Sequence, residues 1–166
     1  MEAIFKRRSI RKYSSEKVPE ELIEKILRAG MAAPSAGNEQ PWHFIIINDK
    51  DILHEIPKFH PYSQMLKEAS HTIVVCSDQS LLKYQGYWVQ DCAAATENML
   101  LMAQDLGLGA VWLGVYPTED RVKALKELLS LPEGITPFCI ISLGYPGETK
   151  EPVDRFNPDR IHRNKW

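Results

Sequence analysis

The sequence lacks the short motifs that identify many enzyme classes. It contains no HExxH or paired cysteine and histidine spacing for a metal, no GxSxG turn and no GKS or GKT phosphate loop. Its three cysteines, Cys76, Cys92 and Cys139, form no CxxC pair and lie in apolar segments, which predicts buried, reduced thiols. The histidines are not paired at ligand spacing. We therefore expect no metal site and no catalytic cysteine.

Long apolar runs and an excess of one charge are also missing. The 20 Lys and Arg against 22 Asp and Glu leave a net charge of -2, which does not favour nucleic-acid binding. No apolar stretch reaches the roughly 20 residues of a membrane span, and the start resembles no signal region. We expect a cytoplasmic protein, and 166 residues with 44% hydrophobic content predict one domain over 1–166, with a polar tail over 151–166.

Periodicity and turn formers predict an alternation of helices and strands. An extended segment, Ser9–Tyr13, should follow the first helix. Gly107-Leu108-Gly109 is predicted to be a helix end and a turn, because it follows a helix and enters a strand, whereas a dinucleotide-binding loop runs from strand to helix. Thr118 should cap the last helix, and Pro57 should stop the third. The predicted helices cover 2–8, 19–30, 49–55, 85–106 and 118–129, and the strands 42–47, 72–76, 110–114 and 138–144.

The densest basic cluster runs from Lys6 to Lys12. In an extended segment, Arg7, Ser9 and Arg11 point to one side, and Arg8 and Ile10 to the other. Two guanidinium groups and a hydroxyl suit a phosphate, since arginine makes bidentate charge-assisted hydrogen bonds. Taken alone, the cluster is first interpreted as a solvated basic patch.

A second polar feature is the loop from Pro34 to Trp42. Its small residues Ser35, Ala36 and Gly37 allow a flat ring to approach the backbone. The side-chain amides of Asn38 and Gln40 both donate and accept hydrogen bonds, which matches a pyrimidine edge. The loop alone is also compatible with a simple connection.

Taken in order, these segments resemble the nitroreductase family. The matching segments are Arg-Arg-Ser-Ile-Arg-Lys-Tyr from Arg7, Pro-Ser-Ala-Gly-Asn-Glu-Gln-Pro-Trp from Pro34, Leu-Gly-Leu-Gly-Ala-Val-Trp-Leu-Gly from Leu106, and Leu-Gly-Tyr-Pro from Leu143. The resemblance implies an α+β fold, an α/β/α sandwich with a central, mostly antiparallel sheet in an intertwined homodimer. It also implies FMN at the subunit boundary and NAD(P)H as the reductant.

The resemblance further assigns cofactor-binding positions. Arg7, Ser9 and Arg11 would hold the phosphate and the pyrimidine side of FMN, with Arg8 in the same basic cluster. The loop residues Pro34, Ser35, Ala36 and Asn38 would reach the flavin bound by the partner subunit. Trp112, Leu113 and Gly114 would lie against the flavin ring, and Arg163 or Lys165 would contact the phosphate.

The implied activity is ping-pong hydride transfer from NAD(P)H to a nitroaromatic, quinone or related organic acceptor, with flavin N5 doing the chemistry and no catalytic side chain. Aromatic and apolar residues are candidates for the acceptor pocket, or for plain packing: Tyr62, Met65, Tyr84, Tyr87 and Trp88. Two alternatives stay open. One is a specialised family activity such as dehalogenation, enoyl or diketopiperazine oxidation or flavin fragmentation, and the other is a non-catalytic flavin-binding protein.

Overall fold

A computed structural model describes residues 2–166 and places four strands in one sheet. The strands are β1 (Trp42–Ile47), β2 (His71–Asp78), β3 (Gly109–Gly114) and β4 (Ile135–Gly144), in the spatial order β1-β2-β4-β3. Every neighbouring pair is antiparallel. Because β2 and β4 lie in the middle of the sheet, nearly all their residues are buried, and both strands are longer than the apolar runs that predicted them.

Helices cover both faces of this sheet. They are α1 (Ala3–Lys6), α2 (Glu20–Met31), α3 (Lys50–Phe59), α4 (Trp88–Asp105) and α5 (Glu119–Leu128). Alternate residues of β2 face opposite layers: Ile73 and Val75 pack with α2 and α4, whereas Val74 and Cys76 pack with α3 and α5. The predicted α+β sandwich is therefore confirmed. In residues 2–166 no helix has the length and apolar character needed to cross a membrane.

Helix α4 is the central helix of one layer. Its buried side includes Cys92 and Met99, and Met99 lies so close to Gly30 of α2 that a Cβ atom there would be 2.9 Å from the methionine Cγ. The helix begins at Trp88, later than predicted, because Gly86 adopts a φ of +88° in the preceding turn. The three cysteines are free and buried, as predicted.

Several predicted boundaries are wrong. Pro57 lies inside α3 rather than ending it, since Asp49 caps the helix and the burial of Leu53, Ile56 and Pro57 stabilises the last turn. The first helix is only Ala3–Lys6. Thr118 occupies the N-cap position of α5, but its side chain accepts no capping hydrogen bond.

The glycine pair after α4 has the predicted role. Gly107 has a φ of +74° and its N–H donates to the carbonyl of Gln104, which ends the helix, and β3 starts at Gly109. The chain here runs from helix to strand, so the segment is not a dinucleotide-binding loop.

Candidate active site

The basic N-terminal segment lies against the edge strand β3. Ser9 forms a parallel bridge with Ala110, and the N–H of Ile10 donates to the Ala110 carbonyl at 3.0 Å. Ile10 is buried and contacts the backbone at Gly109, where a Cβ atom would be 2.7 Å from its Cγ2. The segment is therefore extended, as predicted, and held rigidly at the sheet edge.

The arginines of this segment point in different directions. Arg8 lines a cavity together with Ile10, and its Nε donates to the carbonyl of Glu151 at 2.9 Å. Arg11 lines a different cavity from Arg8, but Arg7 and Ser9, predicted to point to the same side as Arg11, do not line that cavity. Arg7 pairs with Glu97 of α4, with 3.4 Å between Nε and the carboxylate.

The cavity that Arg11 lines has a volume of about 410 Å³ and lies at the end of β3. This volume is in the range typical of small-molecule sites. Six of the residues proposed from the sequence meet here, from three separate segments: Arg11, Tyr62, Met65, Trp112, Leu113 and Gly114. The cavity also contains His60, Pro61, Gln64 and Arg121, which the sequence reasoning did not single out.

His60 and Arg121 meet at the carbonyl of Gly114. His60 Nε2 lies 2.9 Å from this oxygen and Arg121 Nη1 lies 3.0 Å from it. Burial lowers the pKa of His60, and the positive charge of Arg121 lowers it further. The imidazole is therefore neutral at neutral pH, donates through Nε2–H and fixes the orientation of the Gly114 peptide. No spacing in the sequence announces this contact.

The loop after α2 contains backbone angles that are rare for residues other than glycine. Gly37, Asn38 and Gln40 have φ values of +52°, +54° and +47°. The N–H of Ala36 donates to Asp91 of α4 at 2.9 Å, and the amide of Gln40 donates to that of Asn38 at 3.1 Å. The two amides predicted to read a pyrimidine thus contact each other.

The candidate acceptor residues lie in three separate places. Tyr62 and Met65 lie in the cavity with Arg11. Tyr84 packs on Gly37 and near Tyr87, 6.4 Å between ring centres, and both tyrosines are exposed. Trp88 is buried against Phe138, with 6.2 Å between ring centres.

The last sixteen residues, 151–166, are exposed along their whole length. Phe156 is 73% exposed, and Trp166 is fully exposed while stacking on His162 at 4.3 Å between ring centres. Within residues 2–166, the side chains of Arg163 and Lys165 make no hydrogen bond or ion pair. The structure therefore leaves both bases free at the end of an extended arm.

A larger cavity, of about 640 Å³, lies elsewhere and contains none of the proposed site residues. Its wall includes a hydrogen-bonded chain in which His71 contacts Ser70 Oγ at 3.0 Å through Nδ1 and Glu20 at 3.1 Å through Nε2. Ser70 Oγ also accepts from the N–H of Val18 at 2.8 Å. These bonds tie the start of α2 to β2.

Fold and cavity together define an α+β protein with a basic cleft at the end of an edge strand, built from the N-terminal segment, β3 and the flanks of α3 and α5. The sequence profile described as the nitroreductase family matches residues 4–71 and 58–145. The chain belongs to the nitroreductase family.

Individual relatives agree with this assignment. A protein of Methanothermobacter thermautotrophicus with the provisional name NADH dehydrogenase/NAD(P)H nitroreductase is 56% identical, over 100% of this chain and 87% of its own length. A provisional NADH oxidase structure from Clostridium acetobutylicum has a TM-score of 0.96 and 50% identity, covering 99% of both chains. A provisional nitroreductase from Desulfovibrio desulfuricans, solved in complex with FMN, has a TM-score of 0.86 and 31% identity, covering 99% of this chain and 96% of its own.

Proposed function

We propose that the chain is an FMN-dependent NAD(P)H oxidoreductase that reduces nitroaromatic, quinone or related organic acceptors. The proposal is carried by one observation, the meeting of Arg11 with Trp112, Leu113 and Gly114 in a single cavity. A positive charge then lies beside an apolar wall and a glycine. This combination suits a flat, electron-accepting ring system with a polar end.

The residues present fit a flavin ring. A Cβ atom added at Gly114 would meet nothing within 4 Å, so there is open space over this glycine. The Trp112 ring packs against Phe138 with 5.6 Å between ring centres, which gives the cavity a firm aromatic wall. The backbone N–H of Arg11 donates to Glu148 at 2.6 Å. Within residues 2–166 the guanidinium of Arg11 has no hydrogen-bond or ion-pair partner, so it is available to a ligand.

The bound FMN supplies hydride acceptance and donation at N5, and the protein supplies position and charge. In this proposal Arg11 would bind the pyrimidine side of the flavin, and its positive charge would favour the more negative, reduced form. Neutral His60 holds the Gly114 peptide from behind. The protons consumed when a nitro group or quinone is reduced are assigned to solvent water, so the proposal gives none of these side chains a role as general acid or base.

The comparisons support both the cofactor and the reductant of this proposal. The relative from D. desulfuricans is described in complex with FMN, and the relative from M. thermautotrophicus is named for NAD(P)H. We extend both to this chain. We further propose a ping-pong scheme, in which NAD(P)H and the acceptor react in turn at the open space over Gly114 and NAD(P)H leaves before the acceptor binds.

The proposed working unit is a homodimer of the single domain 1–166. An apolar groove of about 400 Å³ runs between α1, α2 and α4, lined by Ala29, Leu101 and Met102. Phe5 of α1 is 75% exposed. A second copy would cover this surface and the arm 151–166 would embrace that copy. In this dimer the loop Pro34–Asn38, including Ser35 and Ala36, would reach the flavin bound by the partner. Arg163 or Lys165 of the arm would contact the phosphate of FMN.

The first test is the colour and reactivity of the purified protein. We expect a yellow protein, or a colourless one that gains flavin absorbance on incubation with FMN. Anaerobic mixing with NADH or NADPH should bleach this absorbance rapidly, and adding a nitroaromatic or quinone should restore it. Failure to bind FMN overturns the proposal.

Other outcomes separate the alternatives. A protein that binds FMN but is bleached only slowly by either nucleotide is a flavin carrier and not an oxidoreductase. A sedimenting monomer with full FMN affinity contradicts the shared site. Deleting residues 152–166 should shift the dimer toward monomer and weaken FMN binding together, because the arm is proposed to serve both.

A further inference from the structure

Arg121 occupies a defined position at the mouth of the Arg11 cavity. Its Nη1 donates to the Gly114 carbonyl at 3.0 Å, the same oxygen that His60 Nε2 contacts at 2.9 Å. Its guanidinium carbon lies 5.5 Å from the centre of the Tyr62 ring. These contacts hold the guanidinium in one orientation beside the cavity.

The charge of Arg121 is not neutralised by the protein. Glu119 and Asp120 precede it in the first turn of α5, but within residues 2–166 it forms no ion pair with either of them or with any other carboxylate. No Asp or Glu lines the cavity, which contains a second arginine, Arg11. The cavity of about 410 Å³ is therefore lined by two arginines and by no carboxylate.

Arginine has five N–H donors in a planar fork, and the Gly114 contact uses only one side of it. The remaining donors suit the paired oxygens of a carboxylate or phosphate. Tyr62, which is 70% exposed, adds an aromatic surface next to this fork. An aromatic ring that carries an anionic group matches both features.

We propose that Arg121 recognises an anionic group on the redox substrate, so that the enzyme favours acceptors or nucleotides presenting a carboxylate or phosphate at this mouth. The proposal rests on the proposed function, in which Arg11 is engaged by the flavin and Arg121 is left for the substrate. Arg121 is a specificity residue here and takes no part in hydride transfer.

The experiment compares para-nitrobenzoate with its neutral analogue para-nitrobenzamide, using the FMN-loaded enzyme. Arg121→Gln removes the charge but keeps an amide donor for the Gly114 carbonyl. We expect the KM for para-nitrobenzoate to rise about tenfold, from the loss of one charge-assisted contact, with kcat nearly unchanged. The KM for para-nitrobenzamide and the Kd for FMN should stay within about twofold of the unmodified enzyme.

Lys123→Gln is the matched control, because it removes one positive charge from the same helix but lies in a separate groove with Tyr116 and Val122. It should leave both acceptors unaffected. If Arg121→Gln raises the KM for NADH and NADPH but leaves the KM for para-nitrobenzoate unchanged, the recognised anion is a nucleotide phosphate. That result also supports anion recognition by Arg121. Equal losses for both acceptors, or no change for any substrate, overturn it.

Failure of the proposed function is measured separately. If the FMN-loaded protein reduces neither acceptor, that function is wrong, and equilibrium binding of para-nitrobenzoate is then followed through the flavin spectrum. A Kd about tenfold weaker in Arg121→Gln than in Lys123→Gln still supports anion recognition. Equal Kd values in the two variants reject it.

Discussion

The carboxyl groups of Glu39 and Asp91 face each other in the interior, close enough to share a hydrogen bond. Glu39 Oε2 accepts from the N–H groups of Lys83 and Tyr84 at 2.7 and 3.1 Å, and Asp91 Oδ1 accepts from Ala36. Their other oxygens are buried without another partner. Burial raises the pKa of Asp91, while for Glu39 the amide donors outweigh burial and lower the pKa, so when one proton is bound to this pair, Asp91 carries it.

This pair predicts that Asp91→Asn is tolerated. The asparagine amide donates to Glu39 as the protonated acid does, and its oxygen still accepts from Ala36. We expect the free energy of unfolding in urea to stay within about 0.5 kcal/mol of the unmodified protein, whereas Asp91→Ala should cost about 1–3 kcal/mol by leaving buried partners unsatisfied. Equal losses in the two variants would contradict the placement of the proton on Asp91.

The same pair predicts a pH dependence with a definite sign. Because folding raises the pKa of Asp91, the folded state binds this proton more tightly, and that contribution declines as pH rises from the unfolded pKa through the raised folded pKa. Asp91→Asn has no proton to lose. Its free energy of unfolding, relative to the unmodified protein, should therefore increase with pH across this window in a series of urea titrations. A constant difference would contradict the assignment.

Gly37→Ala should destabilise the loop after α2. The residue has a φ of +52°, and its new Cβ would lie 2.3 Å from Cε2 of Tyr84. The left-handed backbone costs about 1–2 kcal/mol, and displacing the tyrosine ring adds to this. Gly134→Ala is the control, since Gly134 also has a positive φ, +86°, but open space at its Cβ. In a Tyr84→Ala background, Gly37→Ala should lose no more free energy of unfolding than Gly134→Ala does. If the two glycine substitutions cost similar free energies of unfolding in urea without that background, the steric argument is refuted.

Arg11→Ala should weaken FMN binding about 10–100-fold, through the loss of one charged contact. Its neighbour Lys12 provides the control, because Lys12→Ala removes the same charge one residue further along the extended segment. Titration of the apoprotein with FMN, followed by quenching of flavin fluorescence, gives both Kd values. An unchanged Kd in Arg11→Ala would mean that the flavin lies elsewhere.

The thiols should be inert in the folded protein. Burial raises the pKa of Cys76 and Cys92 to about 12, and burial likewise raises that of Cys139. Since the thiolate is the reactive form, a disulfide reagent should release almost no chromophore from native protein and should titrate all three cysteines after denaturation. Rapid modification of any one thiol in the native protein would contradict this.

The candidate site was predictable only in part. The alternation of Arg8, Ile10 and Arg11 follows from an extended backbone, and the family motif indicated Trp112 to Gly114. His60 and Arg121 were missed because they belong to the end of α3 and the start of α5, and they meet only because both pack beside the last residue of β3. Nothing in their local sequence encodes that proximity.

The sequence by itself determined what short-range physics controls. The apolar run in β2, the alanine-rich helix α4 and the end of that helix at Gly107 all follow from burial and backbone preference within a few residues. Only the tertiary structure decided that Pro57 stays helical, that the buried carboxyl groups of Glu39 and Asp91 lie together, and that Gly114 accepts from both His60 and Arg121. Each of these depends on packing between segments distant in the chain, whose energies outweigh local preference.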